Sequence, residues 1–180
     1  MRSSSPAPSA ALPLVLLCSL ISSHAATARA AADPCASFTW DVSRERALFA
    51  RVPSGRKAGT DSASAPLLTP EHLYRLQLLP VSSVTFVTLP GRSPPALNAF
   101  GGLASLEIST PGIYRIAVDA PVWIDVVADG GLMTARQFQG ATGCSAPHKI
   151  VEFEFPVARE LVLQFSGAAS SIRLSVSAVP

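Results

Sequence analysis

Charged residues are scarce in this chain of 180 residues, at 14% of the sequence against roughly 25% in ordinary soluble domains. Scarce charge together with 16 prolines, nearly twice the usual share of about 5%, favours short strands and turns over long surface helices. The hydrophobic fraction of 48% is ample for a core and excludes a wholly disordered chain. The length suits one domain.

The sequence lacks any hydrophobic run long enough to cross a bilayer, which takes about 20 residues. The uncharged apolar run 11–21 follows Arg2 and precedes the small-residue tripeptide at 28–30 that signal peptidase prefers. We therefore interpret residues 1–30 as a secretory signal peptide and expect a periplasmic or secreted protein. An uncleaved membrane anchor is the alternative interpretation of this segment.

Net charge is also absent from the expected mature chain. Loss of Arg2 and Arg29 with the signal leaves 12 basic and 12 acidic residues. A neutral surface gives no general attraction to nucleic acid or to anionic lipid. We therefore expect neither nucleic acid as a partner nor a stable membrane span after signal cleavage.

Only two cysteines, Cys35 and Cys144, follow the predicted signal. An even pair in an exported chain predicts a disulfide, which would join the N-terminal arm to a loop near the C-terminal third. Closing a loop of about 100 residues contributes up to ~4.7 kcal/mol in the chain-entropy model. Free thiols or a catalytic thiol are the alternatives, but the pair lacks C-x-x-C spacing and an adjacent base.

Residues 31–66 are interpreted as an N-terminal arm followed by a flexible loop. Residues 43–50 have the pattern of two helical turns, capped by Asp41 or Ser43. Residues 53–66 are small and polar, with proline at both ends, which is the composition of a loop.

From residue 67 onward the pattern changes to alternating apolar and polar residues, which predicts eight or nine short strands within 67–180. The strands are expected at residues 72–79, 83–88, 103–108, 113–119, 122–128, 132–139, 149–157, 161–165 and 172–176. The Asp129-Gly130-Gly131 triplet is the strongest hairpin signal. Without helices between the strands, the pattern favours an all-β, antiparallel β-sandwich of jelly-roll type.

Motifs of the common catalytic and cofactor sites are missing. His72 and His148 lack H-x-H, H-E-x-x-H or C-x-x-C context, so no metal ligand set is predicted. Ser166 precedes a glycine in a predicted turn and not in a G-x-S-x-G elbow, and no nucleotide-binding loop is present. We predict no catalytic residue and no cofactor. A dispersed Ser-His-Asp triad or a 2-His-1-carboxylate iron site is the alternative.

The most distinctive segment, 111–130, places an aromatic ring and a carboxylate on one face of a strand. Trp123 and Asp125 share that face because side chains alternate along a strand. A charge in an apolar strand needs a partner, for which Arg115 and Lys149 are the candidates. In the structural interpretation the ring covers the core and the carboxylate closes an ion pair or a turn. In the functional interpretation the ring stacks on a sugar whose hydroxyls donate to the carboxylate.

Tyr114 is a further ligand-binding candidate, and Trp40 is a secondary one, with the same structural alternative for each. A site built from Trp123, Asp125 and Tyr114 would bind a carbohydrate or a protein of the cell envelope. Such a site would need no cofactor.

Five blocks of sequence resemble a family of small exported bacterial proteins of unknown function. These blocks are residues 40–50, 112–118, 122–127, 144–153 and 161–167, and the strings WIDVV and VLQFS within them are the most specific. The resemblance implies a periplasmic or secreted all-β protein and brings no catalytic residues. The C-terminal half is also loosely similar to the jelly-roll domains that are appended to secreted peptidases.

Some members of that family carry names of the homogentisate dioxygenase type. That enzyme is a much larger cupin with a His/His/Glu iron site, and this chain has no matching ligand motif. We therefore expect an exported, non-enzymatic β-sandwich that binds an envelope ligand or acts as an envelope accessory protein. The alternative is a metal-dependent enzyme or a hydrolase whose residues the sequence does not reveal.

Overall fold

Strands are the main secondary structure of the chain. The computed structural model describes Met1 and residues 33–92, 96 and 98–180, so the predicted signal peptide lies outside the described residues except for Met1. The strands are β1 (Ser54–Lys57), β2 (Leu67–Leu68), β3 (Leu73–Gln77), β4 (Leu79–Pro80), β5 (Phe100–Ile108), β6 (Gly112–Val118), β7 (Val122–Ala128), β8 (Gly131–Leu132), β9 (Gln137–Gly140), β10 (Lys149–Phe155), β11 (Arg159–Gly167) and β12 (Ser171–Ala178).

The strands form two sheets that pack face to face. Sheet 1 has the order β1-β3-β12-β6-β10-β9, and sheet 2 has the order β2-β5-β11-β7-β8, with β4 paired to β5. The long central strands pair in antiparallel fashion, while β1–β3 and β2–β5 pair in parallel. The predicted all-β sandwich is therefore confirmed.

The core lies between the two sheets, where the apolar side of each alternating strand turns inward. Ile116, Val126, Phe155, Leu163 and Leu174 come from five different strands, and none of them is exposed to solvent. Burying side chains of this size stabilises the fold by about 1.5–3 kcal/mol each, before entropy is counted.

The N-terminal arm covers the outer face of sheet 1. Helix α1 (Ser43–Phe49) lies where the helical turns were predicted, and Phe49 packs with Leu73, Ala117 and Ile150 on that face. Asp41 accepts the Ser43 backbone N–H at 2.9 Å, although the N-cap residue is Val42. In the described part of the chain, no helix is both long and apolar enough to pass through a membrane.

The predicted disulfide is present between Cys35 and Cys144, which are 109 residues apart in sequence. It ties the start of the arm to the loop before β10. Residues 32–180 form one compact unit, so the arm belongs to the same body as the sheets.

The structure differs from the loop predicted for residues 53–66. Residues 54–57 form β1, which pairs in parallel with β3, and Gly59 forms an isolated bridge with Leu103. All four residues of β1 are exposed, so this edge strand has no apolar face to mark it in the sequence. Backbone pairing holds it in the sheet, together with the Arg56 guanidinium, whose carbon lies 5.9 Å from the Tyr74 ring centroid.

The single strand predicted for residues 132–139 is wrong. The chain pairs with β7 through β8 and then crosses to sheet 1, where β9 pairs with β10. The predicted hairpin at Asp129-Gly130 is confirmed, because Ala128 faces Gly131 across a two-residue turn. Asp129 and Gly130 adopt φ angles of 51° and 77°, the left-handed region that such turns require.

Candidate functional site

Strand β7 positions the two residues that the sequence singled out. Its inward side chains, Val122, Ile124 and Val126, are part of the core, so Trp123 and Asp125 lie on the outer face of sheet 2. The Trp123 indole N–H donates to Asp125 Oδ1 at 2.8 Å. Only 8% of Asp125 is exposed, which leaves its carboxylate largely closed off from water.

The second oxygen of Asp125 holds a segment that crosses sheet 2. Gly91 donates its backbone N–H to Asp125 Oδ2 at 3.1 Å. A side chain at Gly91 would come within 2.9 Å of Asp125 Oδ1, so the close approach of backbone to carboxylate requires glycine. We call residues 81–92 the strap, because they run over the outer face of this sheet.

Gln164 of β11 holds the middle of the strap. It lies directly beside Asp125 in the sheet, and its Oε1 accepts the backbone N–H groups of Val87 and Thr88 at 2.6 and 3.3 Å. Its Nε2 donates to the Thr88 carbonyl at 3.2 Å. The strand predicted for residues 83–88 is therefore wrong: this backbone hydrogen-bonds to the side chain of Gln164, where a strand would pair with a neighbouring strand.

Two cationic side chains lie over the Trp123 ring. The Lys149 ammonium is 4.9 Å from the ring centroid, and the Arg92 guanidinium carbon is 5.7 Å from it. Both distances are within the range of cation–π attraction. Lys149 also donates to the Val122 carbonyl at 3.3 Å, which links the start of β10 to the start of β7.

The electrostatic environment of Lys149 disfavours its charge. Burial lowers the pKa of the Lys149 ammonium, and repulsion from Arg92 lowers it further. Attraction to Asp125, the carboxylate that accepts the Trp123 indole N–H, raises the pKa and acts in the opposite direction. The site therefore contains two cations close together and a single buried carboxylate.

These residues surround a cleft of about 310 Å³, which we call the Trp123 cleft. Its lining includes Arg92, Trp123, His148, Lys149, Ser166 and Gly167. Antiparallel pairing brings the parts together, because the end of β11 pairs with the start of β7 and the start of β10 pairs with the end of β6. The end of the strap supplies Arg92.

Tyr114 does not line this cleft. Its side chain points into the core from β6, is 6% exposed and packs on Phe155 with ring centroids 5.5 Å apart. Its hydroxyl donates to the Thr110 carbonyl at 2.8 Å. The structure therefore gives Tyr114 a core-packing position, apart from Trp123 and Asp125.

Trp40 and Arg115 meet on the far side of the molecule. The Arg115 guanidinium carbon lies 4.6 Å from the Trp40 ring centroid. Arg115 forms ion pairs with Glu152 at 3.3 Å and with Glu45 at 3.7 Å, so the expectation that it would neutralise Asp125 is wrong. The assignment of strands to sheets explains the error: β6 is in sheet 1 and β7 in sheet 2, so Arg115 and Asp125 lie on different outer faces.

The sequence suggests other roles for two residues that line the cleft. His148 is a candidate metal ligand, Ser166 is a candidate turn residue or nucleophile, and Arg92 sits in a proline-rich stretch with no periodicity. Within residues 33–92, 96 and 98–180, no group of three or more His, Cys, Asp or Glu side chains is arranged to hold a metal ion.

Comparison with protein-family models, with curated proteins and with solved structures finds no match to this chain. The likeness to exported bacterial proteins and to peptidase-associated jelly rolls therefore stays a prediction from the sequence.

Proposed function

We propose that this chain is an exported, non-enzymatic β-sandwich that binds a compact ligand of the cell envelope in the Trp123 cleft. One observation carries the proposal: an indole ring fixed by a buried carboxylate lines an open cleft beside two cations. Large aromatic rings at such positions supply much of the binding energy of ligand sites.

The fixed position of the ring supports binding over a purely structural role. Binding is weakened when side chains must be ordered on contact, and a ring that is already held avoids that cost. Asp125 holds the indole through one oxygen and the strap through the other. Its carboxylate is thereby committed to protein groups, so the ligand meets the ring and the cations.

Export is supported by the disulfide between Cys35 and Cys144. Disulfides persist in oxidising compartments and are rare in reducing ones. A periplasmic or secreted location is therefore part of the proposal, together with the predicted signal at residues 1–30.

Capture of envelope material tests the proposal. A glycan array and a pull-down from envelope extract are run with the native protein, with Trp123→Ala and with Phe138→Ala as the matched control. Phe138 is a second accessible aromatic, 73% exposed on β9 of the other sheet. We expect Trp123→Ala to abolish capture, while Phe138→Ala leaves it intact.

Trp123→Phe keeps an aromatic ring but removes the pyrrole ring with the N–H that bonds Asp125, so it covers the case in which Trp123→Ala unfolds. We expect it to weaken capture without changing the circular dichroism spectrum. Capture that is equal in the native protein and both Trp123 variants would overturn the proposal, as would no capture from either source.

A further inference from the structure

We propose that the Trp123 cleft selects ligands that carry an oxyanion, a carboxylate, sulfate or phosphate group, held between Lys149 and Arg92. This inference rests on the proposed function and narrows its ligand class. Asp125 is the acidic group nearest the cations, and its two oxygens already accept from Trp123 and Gly91.

Both cations border the cleft beside the Trp123 ring, so one anion there would be attracted to both. Each lies within 6 Å of the same indole centroid, and both line the same cleft. Lys149 uses one of its three N–H donors on the Val122 carbonyl, and a guanidinium such as that of Arg92 offers paired donors in the geometry of a carboxylate or phosphate. The Ser166 hydroxyl lines the cleft beside them and is a neutral donor.

The electrostatics of the cleft favour the same ligand. Repulsion from Arg92 disfavours the charge on Lys149, and burial of Lys149 removes part of the water that would screen it. An oxyanion between them would turn this repulsion into two attractions. A neutral ligand would leave the repulsion in place.

The attraction of the two cations for an oxyanion is confined to the cleft. The sequence after residue 30 has equal numbers of basic and acidic residues, so its overall charge would not concentrate anions on the surface. The cleft volume of about 310 Å³ is at the lower end of the range of roughly 300–1,000 Å³ for ligand sites. That size suits a single ring bearing one anionic group, such as a uronic acid.

A matched pair of sugars tests the anion requirement. Galacturonate and galactose differ at C6, where one has a carboxylate and the other a hydroxymethyl group, and inorganic sulfate and phosphate supply the anion without a ring. In calorimetric titrations of the purified protein, we expect galacturonate to bind at least about tenfold more tightly than galactose, or roughly 1.4 kcal/mol. Raising the salt concentration should weaken galacturonate binding and leave galactose unchanged.

Substitutions of Lys149 and Arg92 test whether these two cations cause the preference for galacturonate. Lys149→Met and Arg92→Gln should each reduce galacturonate binding by about tenfold or more, whereas Lys149→Arg keeps the charge and should retain selectivity. Lys57→Met and Arg75→Gln remove exposed cations on sheet 1 and serve as matched controls that should bind like the native protein.

The outcomes separate this inference from the proposed function. Sulfate or phosphate binding as tightly as galacturonate supports the inference and identifies the anion as the recognised group. Equal binding of galacturonate and galactose, selectivity that survives in Lys149→Met, or no binding of any probe overturns the inference. In each of those cases, envelope capture that is lost in Trp123→Ala still supports the proposed function.

Discussion

The indole N–H of Trp123 donates to the carboxylate of Asp125 two residues further along the same strand, at 2.8 Å. The same carboxylate accepts the Gly91 backbone N–H from the strap at 3.1 Å. The orientation of the ring and the position of the strap therefore depend on one buried carboxylate. Changes at Asp125 should affect the cleft and the strap together.

Asp125→Ala tests this link. The substitution leaves the Trp123 and Gly91 N–H groups without their acceptor, which should lower the free energy of unfolding by about 1–3 kcal/mol. Release of the strap should also speed tryptic cleavage after Arg92. Urea denaturation and limited proteolysis measure the two effects, with Glu160→Gln, which alters an exposed carboxylate on β11, as the control. Unchanged proteolysis at Arg92 would contradict the strap contact.

Gln164→Met removes a second side-chain attachment of the strap while keeping the length of the side chain. The N–H groups of Val87 and Thr88 lose their acceptor, so we expect a loss of about 1–3 kcal/mol in stability. Because both side chains hold one segment, the combined loss with Asp125→Ala should be smaller than the sum of the single losses. Fully additive losses in urea denaturation would show that the strap is not one unit.

Removal of the disulfide should destabilise the protein without changing its fold. Cys35→Ser combined with Cys144→Ser is expected to cost about 2–5 kcal/mol, because the bridge closes a loop spanning 109 residues of sequence separation. For a domain of this size that corresponds to a fall in Tm of roughly 10 °C. Reductant should lower the Tm of the native protein and leave the double variant unaffected. A native protein insensitive to reductant would refute the assignment.

Arg115 forms ion pairs with two carboxylates that have little access to water. Glu45 is 1% exposed and pairs with Arg115, whereas Glu152 pairs with both Arg115 and Arg136, so Arg115→Met leaves Glu45 without its cation. We expect a loss of about 3–5 kcal/mol in the free energy of unfolding. Adding Glu45→Gln should restore part of it, because the stranded charge is then neutral. Arg75→Met removes an exposed arginine from β3 and should change stability little.

Lys149 should make stability depend on pH in the alkaline range. Burial lowers the pKa of Lys149 in the folded protein below the value of 10.5 for a free lysine, and repulsion from Arg92 makes a smaller contribution in the same direction. The unfolded chain therefore binds this proton more readily, and native stability rises with pH between the folded pKa and 10.5. Lys149→Met should lack this rise. Denaturation of both proteins across that range gives the comparison, and identical pH profiles would contradict the shift.

Strand positions could be read from the sequence where one side of a strand faces the core. The alternation in 113–119 and 149–157 predicted β6 and β10 because burial on one face imposes a period of two, and the nearly all-apolar run 122–128 predicted β7. The Asp129-Gly130 turn and the Cys35–Cys144 bridge were also predictable, since each rests on the chemistry of its own residues. For the candidate site, the same alternation placed Trp123 and Asp125 on one face.

Contacts between distant parts of the chain could not be read in this way. The strap has the apolar alternation of a strand, yet the Val87 and Thr88 N–H groups bond to Gln164, 77 and 76 residues later in the chain. Arg92 reaches the cleft from a proline-rich stretch, and Arg115 faces away from Asp125 because β6 and β7 lie in different sheets. Local patterns report which side of a strand is buried, whereas the partners of an outward-facing polar group are set by how the two sheets and their covering segments pack.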